Sequence, residues 1–250
     1  MSGPVEDIHH RLTGTGRRLL LVSGLNGRAQ FWDPVVTALS SRFSVLTFDQ
    51  RGCGATPDDG VAWNIESLAS DAFAVATRAF GGAPFTVIGH STGGAIAQWM
   101  AASQPERIEA AVLSGTWLRA SGYMRALFEL RRDLLLRAPD LDPALGHLLR
   151  VPLGCYTPLE PGVAPDPGVA HRRINALLDH DGTPLSPRIT CPTLVVAARD
   201  DRIIPPHMVQ DLHANLPHGE LRLLVDGGHF FPQTRTKVFE STLTDWLGNR

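Results

Sequence analysis

The feature that most constrains this chain is the regular alternation of short apolar runs with stretches of helical periodicity. Runs at residues 18–23, 43–49, 85–89, 108–114, 193–198 and 220–225 read as strands, and helical patterns at 32–41, 65–80, 92–103, 206–215 and 232–247 lie between them. That order is the sequence form of an α/β fold: a mostly parallel sheet flanked by helices. A length of 250 residues, 43% hydrophobic and 19% charged, suits one domain with a sizeable core. The alternation stops between residues 117 and 187. There, helical patterns at 125–137, 143–149 and 168–179 are separated by Pro152, Pro158, Pro161, Pro165 and Pro167. The expected organisation is a core of residues 1–116 and 188–250, interrupted by a helical lid of residues 117–187.

Charge narrows the functions available. Lys+Arg 23 against Asp+Glu 25 leaves a net charge of −2, and Lys237 is the single lysine. A P-loop needs a lysine at the nucleotide phosphates and Schiff-base chemistry needs one at a carbonyl, so kinase, ATPase and aldolase readings lose their footing. No basic stripe suggests a nucleic-acid partner. Cys53, Cys155 and Cys191 are far apart with no CxxC pair, which argues against a disulfide framework or a structural zinc site. The segment MSGPVEDIHHRL has no apolar core, and the run 19–22 is too short to span a membrane. The expectation is a cytoplasmic protein acting on a small molecule, without metal, cofactor or membrane partner, a homodimer being left open.

The stretch 85–94 runs from a strand directly into Gly89-His90-Ser91-Thr92-Gly93 and then into a helix rich in small residues. A serine on so sharp a strand-to-helix turn needs glycine at flanking positions to avoid collisions. Its Oγ then stands clear at a helix N-terminus, where developing negative charge is favoured. Ser91 is therefore the expected nucleophile.

Serine needs a histidine to take its proton and a carboxylate to hold that histidine. A buried strand at 193–198 leads into Arg199-Asp200-Asp201-Arg202-Ile203-Ile204-Pro205, and Asp201 is preferred over Asp200 as the acid. Of ten histidines, His229 is the expected base, because Gly227-Gly228 places it on a turn just beyond the last strand. His90 is expected to pack or hydrogen-bond locally. Oxyanion donors are expected from the backbone N–H of Thr92 and, in the loop Ser23-Gly24-Leu25-Asn26-Gly27, from Leu25.

Taken together, Ser-Gly-Leu-Asn-Gly with Trp32 beyond it, Phe48-Asp49-Gln50-Arg51-Gly52-Cys53-Gly54, Gly-His-Ser-Thr-Gly, Arg-Asp-Asp-Arg-Ile-Ile-Pro and Gly-Gly-His resemble the α/β-hydrolase fold superfamily. Within it the chain is similar to the small enol-lactonase and aminoacrylate-hydrolase-like group, on the strength of the Asp-Gln-Arg-Gly turn, residues 115–119 and residues 172–178. Ser23 is a departure, since many members carry histidine there. The resemblance implies a serine hydrolase that cleaves a small ester, lactone or amide, a carboxylate-bearing catabolic intermediate, with the lid setting substrate choice.

The lid carries Arg119, Arg125, Arg131, Arg132, Arg137, Arg150, Arg172 and Arg173. One or two of these turned inward would hold a substrate carboxylate. Asn26, Trp117, Arg119 and Arg125 are expected to face the substrate. C–C bond hydrolysis on the same triad, and a low-turnover ligand-binding protein with a hydrolase fold, are the alternatives.

Overall fold

The computed structural model describes residues 7–158 and 166–248. Pro161 and Pro165, expected breakers of the chain, lie outside the described residues, as do residues 1–6 and 249–250. The strands are β1 (His10–Thr13), β2 (Arg17–Val22), β3 (Phe43–Phe48), β4 (Phe85–His90), β5 (Ile108–Ser114), β6 (Thr193–Ala198) and β7 (Gly219–Leu224). They form a 7-stranded sheet in the order β1-β3-β2-β4-β5-β6-β7. Only the β1–β3 pair is antiparallel among these pairings.

Side chains alternate between the two faces of a strand, and here both faces are buried. Leu19 and Leu21 of β2, Ile88 of β4, and Leu194 and Val196 of β6 pack with Trp32 and with helices α1 (Asp33–Leu39) and α9 (Thr236–Gly248). Their neighbours Leu20, Val22, Val87 and Val195 face the other way. They pack with α2 (Ile65–Phe80), α3 (Thr92–Ser103) and α7 (Pro206–Ala214). Each side chain so buried contributes about 1.5–3 kcal/mol.

Between β5 and β6 the chain forms α4 (Gly122–Arg137), α5 (Asp142–Arg150) and α6 (Pro167–Asp179). Apolar residues of this insertion, among them Met124, Phe128, Leu135, Val169 and Ile174, are continuous with the α2–α3–α7 core. Arg131 of α4 grips Asp142 of α5 through Nε and Nη2, at 2.8 and 2.9 Å.

Two features differ from expectation. β1 was not anticipated: it is a short edge strand whose residues are half-buried or exposed, so it carries no apolar run. The helix expected at 232–247 is instead α8 (Phe231–Thr234) and α9, separated at Arg235, whose φ is −133°. The Arg235 side chain is drawn onto Asp226, donating through Nε at 2.7 Å and Nη2 at 2.5 Å. The other expected elements are present, their bounds shifted by less than a helical turn.

Candidate active site

In the order β3-β2-β4, the connections leaving β2 and β4 diverge, which opens a crevice beyond the C-terminal ends of the strands. The loop after β2 carries Gly24 and Leu25; the turn after β4 carries Ser91. The two β strands are paired through Val22 and Gly89, so loop and turn face each other.

Ser91 has φ 56°, the only positive value at a non-glycine among the described residues. Its N–H donates to the Ser114 carbonyl at 2.8 Å, which ties the turn to β5. The flanking glycines are sterically required. A Cβ at Gly89 would lie 2.1 Å from the Gly93 carbonyl oxygen, and one at Gly93 would lie 2.1 Å from that of Val22. Strand and helix meet there without room for a side chain.

Asp201, just beyond β6, accepts the N–H groups of Ile203 and Ile204 on Oδ1, at 2.8 and 2.9 Å. Its Oδ2 lies 2.7 Å from His229 Nδ1. Asp201 is 4% exposed and His229 3%, so this contact is shielded from water. A carboxylate can only accept here, which places the proton on Nδ1 and leaves the Nε2 lone pair free. Gly227 and Gly228, with φ 133° and 61°, make the turn that delivers His229. Asp200 has a part of its own: its Oδ1 accepts the Gly228 N–H at 2.8 Å and fastens that turn.

Ser91 and His229 line one cavity of about 450 Å³, together with Gly24, Leu25, Asn26, Arg28, Phe31 and Arg150. No hydrogen bond joins Ser91 Oγ to His229. Behind the turn, His90 is 1% exposed, contacts Ser114 Oγ through Nδ1 at 3.0 Å and stacks on Phe31 with centroids 4.9 Å apart. Burial, then the nearby His229, push its pKa well below the usual histidine range, so it stays neutral. That matches its expected local role.

The N–H groups of Leu25 and Thr92 have no partner among the described residues. Arg173 of α6, 1% exposed, holds the loop from behind. Its Nη2 donates to the Gly24 carbonyl at 3.1 Å and to Gln50 Oε1 at 2.5 Å, and its Nε donates to the Leu25 carbonyl. Gln50 in turn donates to the Ser23 carbonyl at 2.7 Å. In a trans peptide C=O and N–H point in opposite directions. Fixing the Gly24 carbonyl therefore fixes the direction of the Leu25 N–H.

The expected substrate contacts divide. Asn26 lines the cavity. Trp117, Arg119 and Arg125 do not: Trp117 is buried against His180, Arg119 is exposed and its backbone pairs with that of Asp181 in an isolated antiparallel β-bridge, and Arg125 is on the exposed face of α4. Arg150 lines the cavity instead, while Gln50 and Arg173 hold the Ser23–Leu25 loop beside it. Helical periodicity identifies the insertion's helices but not which arginine turns inward, because that is set by the packing of α5 and α6 on the loops of the core. Among the described residues, no group of three or more His, Cys, Asp or Glu side chains is arranged to hold a metal ion. No helix among them is long and apolar enough to cross a membrane.

These features are those of an alpha/beta hydrolase, and the chain belongs to that family, whose model matches residues 19–241. It is a hydrolytic enzyme by that membership and by its relatives. Over 97% of this chain and 95% of the relative, it is 31% identical to a protein of Azorhizobium caulinodans named "Putative carbamate hydrolase RutD". A protein of the same name from Agrobacterium fabrum is 32% identical, over 96% of this chain and 97% of the relative. Among solved structures, a hydrolase from Pseudomonas aeruginosa superposes with a TM-score of 0.86 at 25% identity, covering 96% of this chain and 94% of that one. The enol-lactonase of Burkholderia xenovorans shares the fold, with a TM-score of 0.85 at 22% identity over 96% of each chain.

Proposed function

We propose that the protein is a serine hydrolase of small carboxylate-bearing acyl substrates, cleaving an ester, lactone, amide or carbamate through Ser91, His229 and Asp201. The observation that carries this reading is the 2.7 Å contact of Asp201 with His229 Nδ1 beside a cavity that Ser91 also lines. The carbamate hydrolysis named for its relatives is the same chemistry at a carbonyl carbon.

Ser91 Oγ attacks the carbonyl as His229 Nε2 takes its proton, the two side chains closing on each other as substrate binds. Asp201 holds the imidazole in the tautomer that leaves Nε2 basic and stabilises the imidazolium that forms. The oxyanion accepts hydrogen bonds from the N–H groups of Leu25 and Thr92, which are set in advance by Arg173 and by the start of α3. His229 then gives its proton to the leaving group, and water, deprotonated by the same nitrogen, releases the acyl group. The helices of residues 117–187 act as the lid over this cavity, contributing Phe128, Arg131 and Arg150 to its lining.

The test is labelling with a fluorophosphonate, located by peptide mass spectrometry, together with turnover of 4-nitrophenyl acetate. Stoichiometric modification at Ser91 and loss of esterase activity in step with it are expected. Modification elsewhere, with activity retained, would exclude the reading.

A further inference from the structure

Arg150 ends α5 and is anchored to the loop that carries the base. Its carbonyl accepts the Phe230 N–H at 3.1 Å, and its guanidinium carbon lies 4.9 Å from the centre of the Phe230 ring. From the other side Arg202 Nη2 donates to the carbonyls of Val151, at 2.8 Å, and Leu148. Receptor and base thus share one support, and the Arg150 side chain is held where it lines the cavity with Ser91 and His229.

No carboxylate answers this guanidinium. Arg150 has no ion pair or hydrogen-bonded side-chain partner among the described residues, and its Nε is buried and unpartnered. Asp142, the acid whose field reaches Arg150, has both oxygens bonded to Arg131. Asp33, which lines the same cavity, is held by Arg11 at 2.5 Å. Arg131 and Asp142 neutralise each other, so Arg150 remains as an uncompensated charge. Arg150 is half-buried, and holding such a charge partly out of water is unfavourable unless a counter-charge arrives. Burial, and after it the Arg131 charge, pull its pKa down to about 10 while Asp142 opposes them, which still leaves it protonated near neutral pH.

We propose that Arg150 is the cavity's anion receptor, a planar fork that holds the carboxylate of a small substrate while the scissile carbonyl lies at Ser91. This rests on the serine-hydrolase reading and assigns its substrate specificity to one residue. A volume of about 450 Å³ fits a small molecule with its acyl and carboxylate groups a few bonds apart. Arg28, half-buried on the same lining, is placed to add to the positive field.

The experiment measures protection of Ser91 from a neutral fluorophosphonate by propanoate, butanoate and pentanoate, against the matching primary amides. Protection is expressed within each variant as the ratio of labelling rates with and without the added compound, so that changes in intrinsic reactivity cancel. The wild-type protein is expected to be protected saturably by an acid and at least tenfold less well by its amide. Arg150→Gln should raise the half-protecting acid concentration by about 10- to 100-fold, with Arg150→Lys in between. Equal protection by acid and amide, no protection by any acid, or an unchanged half-protecting concentration in Arg150→Gln would overturn the receptor. If Arg150→Gln fails to fold, the same comparison with Arg150→Lys decides. An unlabelled wild-type Ser91 would instead refute the serine-hydrolase reading, so the two failures are distinguishable.

Discussion

At Ser91 the backbone adopts φ 56°, a conformation that costs a non-glycine residue about 1–3 kcal/mol. Glycines at 89 and 93 and the hydrogen bond to Ser114 hold it there. Buried polar side chains elsewhere are treated in two ways. Arg51, fully buried, is satisfied by Asp71 at 2.6 and 2.7 Å and by Asp59 at 3.2 Å. His180 is buried against Trp117, with neither ring nitrogen partnered among the described residues. Burial pushes its pKa down to about 4, against the opposing pull of Asp181. The unfolded chain takes up that proton near pH 6.5, so the stabilising effect of the neutral ring is complete above that pH and is lost as pH falls toward 4. Denaturant unfolding should show wild-type stability falling from pH 7 to pH 5 by about 2 kcal/mol more than that of His180→Gln. Equal losses in the two proteins would contradict this.

Among the elements of the insertion, α6 bears directly on the candidate site, because Arg173 donates to the carbonyls of Gly24 and Leu25. Removing it would leave the Gly24 carbonyl held by the Gly27 N–H alone, at 2.9 Å, and so loosen the Leu25 peptide. Arg173→Met is expected to lower kcat on a small ester by about 10- to 100-fold with a smaller change in KM, and Arg173→Lys to recover part of the loss. A raised KM with kcat unchanged would show that Arg173 binds substrate instead of positioning the donor. Such elements were unequally legible in sequence. The buried strands and α2 and α3 are written as apolar runs and helical periodicity. β1 is not, because an edge strand of His10, Arg11, Leu12 and Thr13 has little to bury. The break at Arg235 was also hidden, since no proline or glycine stands there; the side chain at the break is paired with Asp226.

For the molecule as a whole, one twisted sheet brings together residues far apart in the chain. The ends of β2, β4 and β6 and the turn after β7 deliver the Gly24–Leu25 loop, Ser91, Asp201 and His229 to one end of the sheet. The turns that hold Ser91, Asp201 and His229 were legible in sequence, because each has its own local chemistry: glycines beside Ser91 and His229 and an acidic turn at Asp201. Arg150 and Arg173 could not be singled out among the insertion's arginines, because their places depend on how α5 and α6 dock against loops more than 70 residues away in sequence. The central claim is that Ser91 is the nucleophile, and it is tested most directly by the turnover of a small ester by purified Ser91→Ala. The account predicts a rate at least about 10⁴-fold below wild type with the fold retained; turnover at the wild-type rate would contradict it.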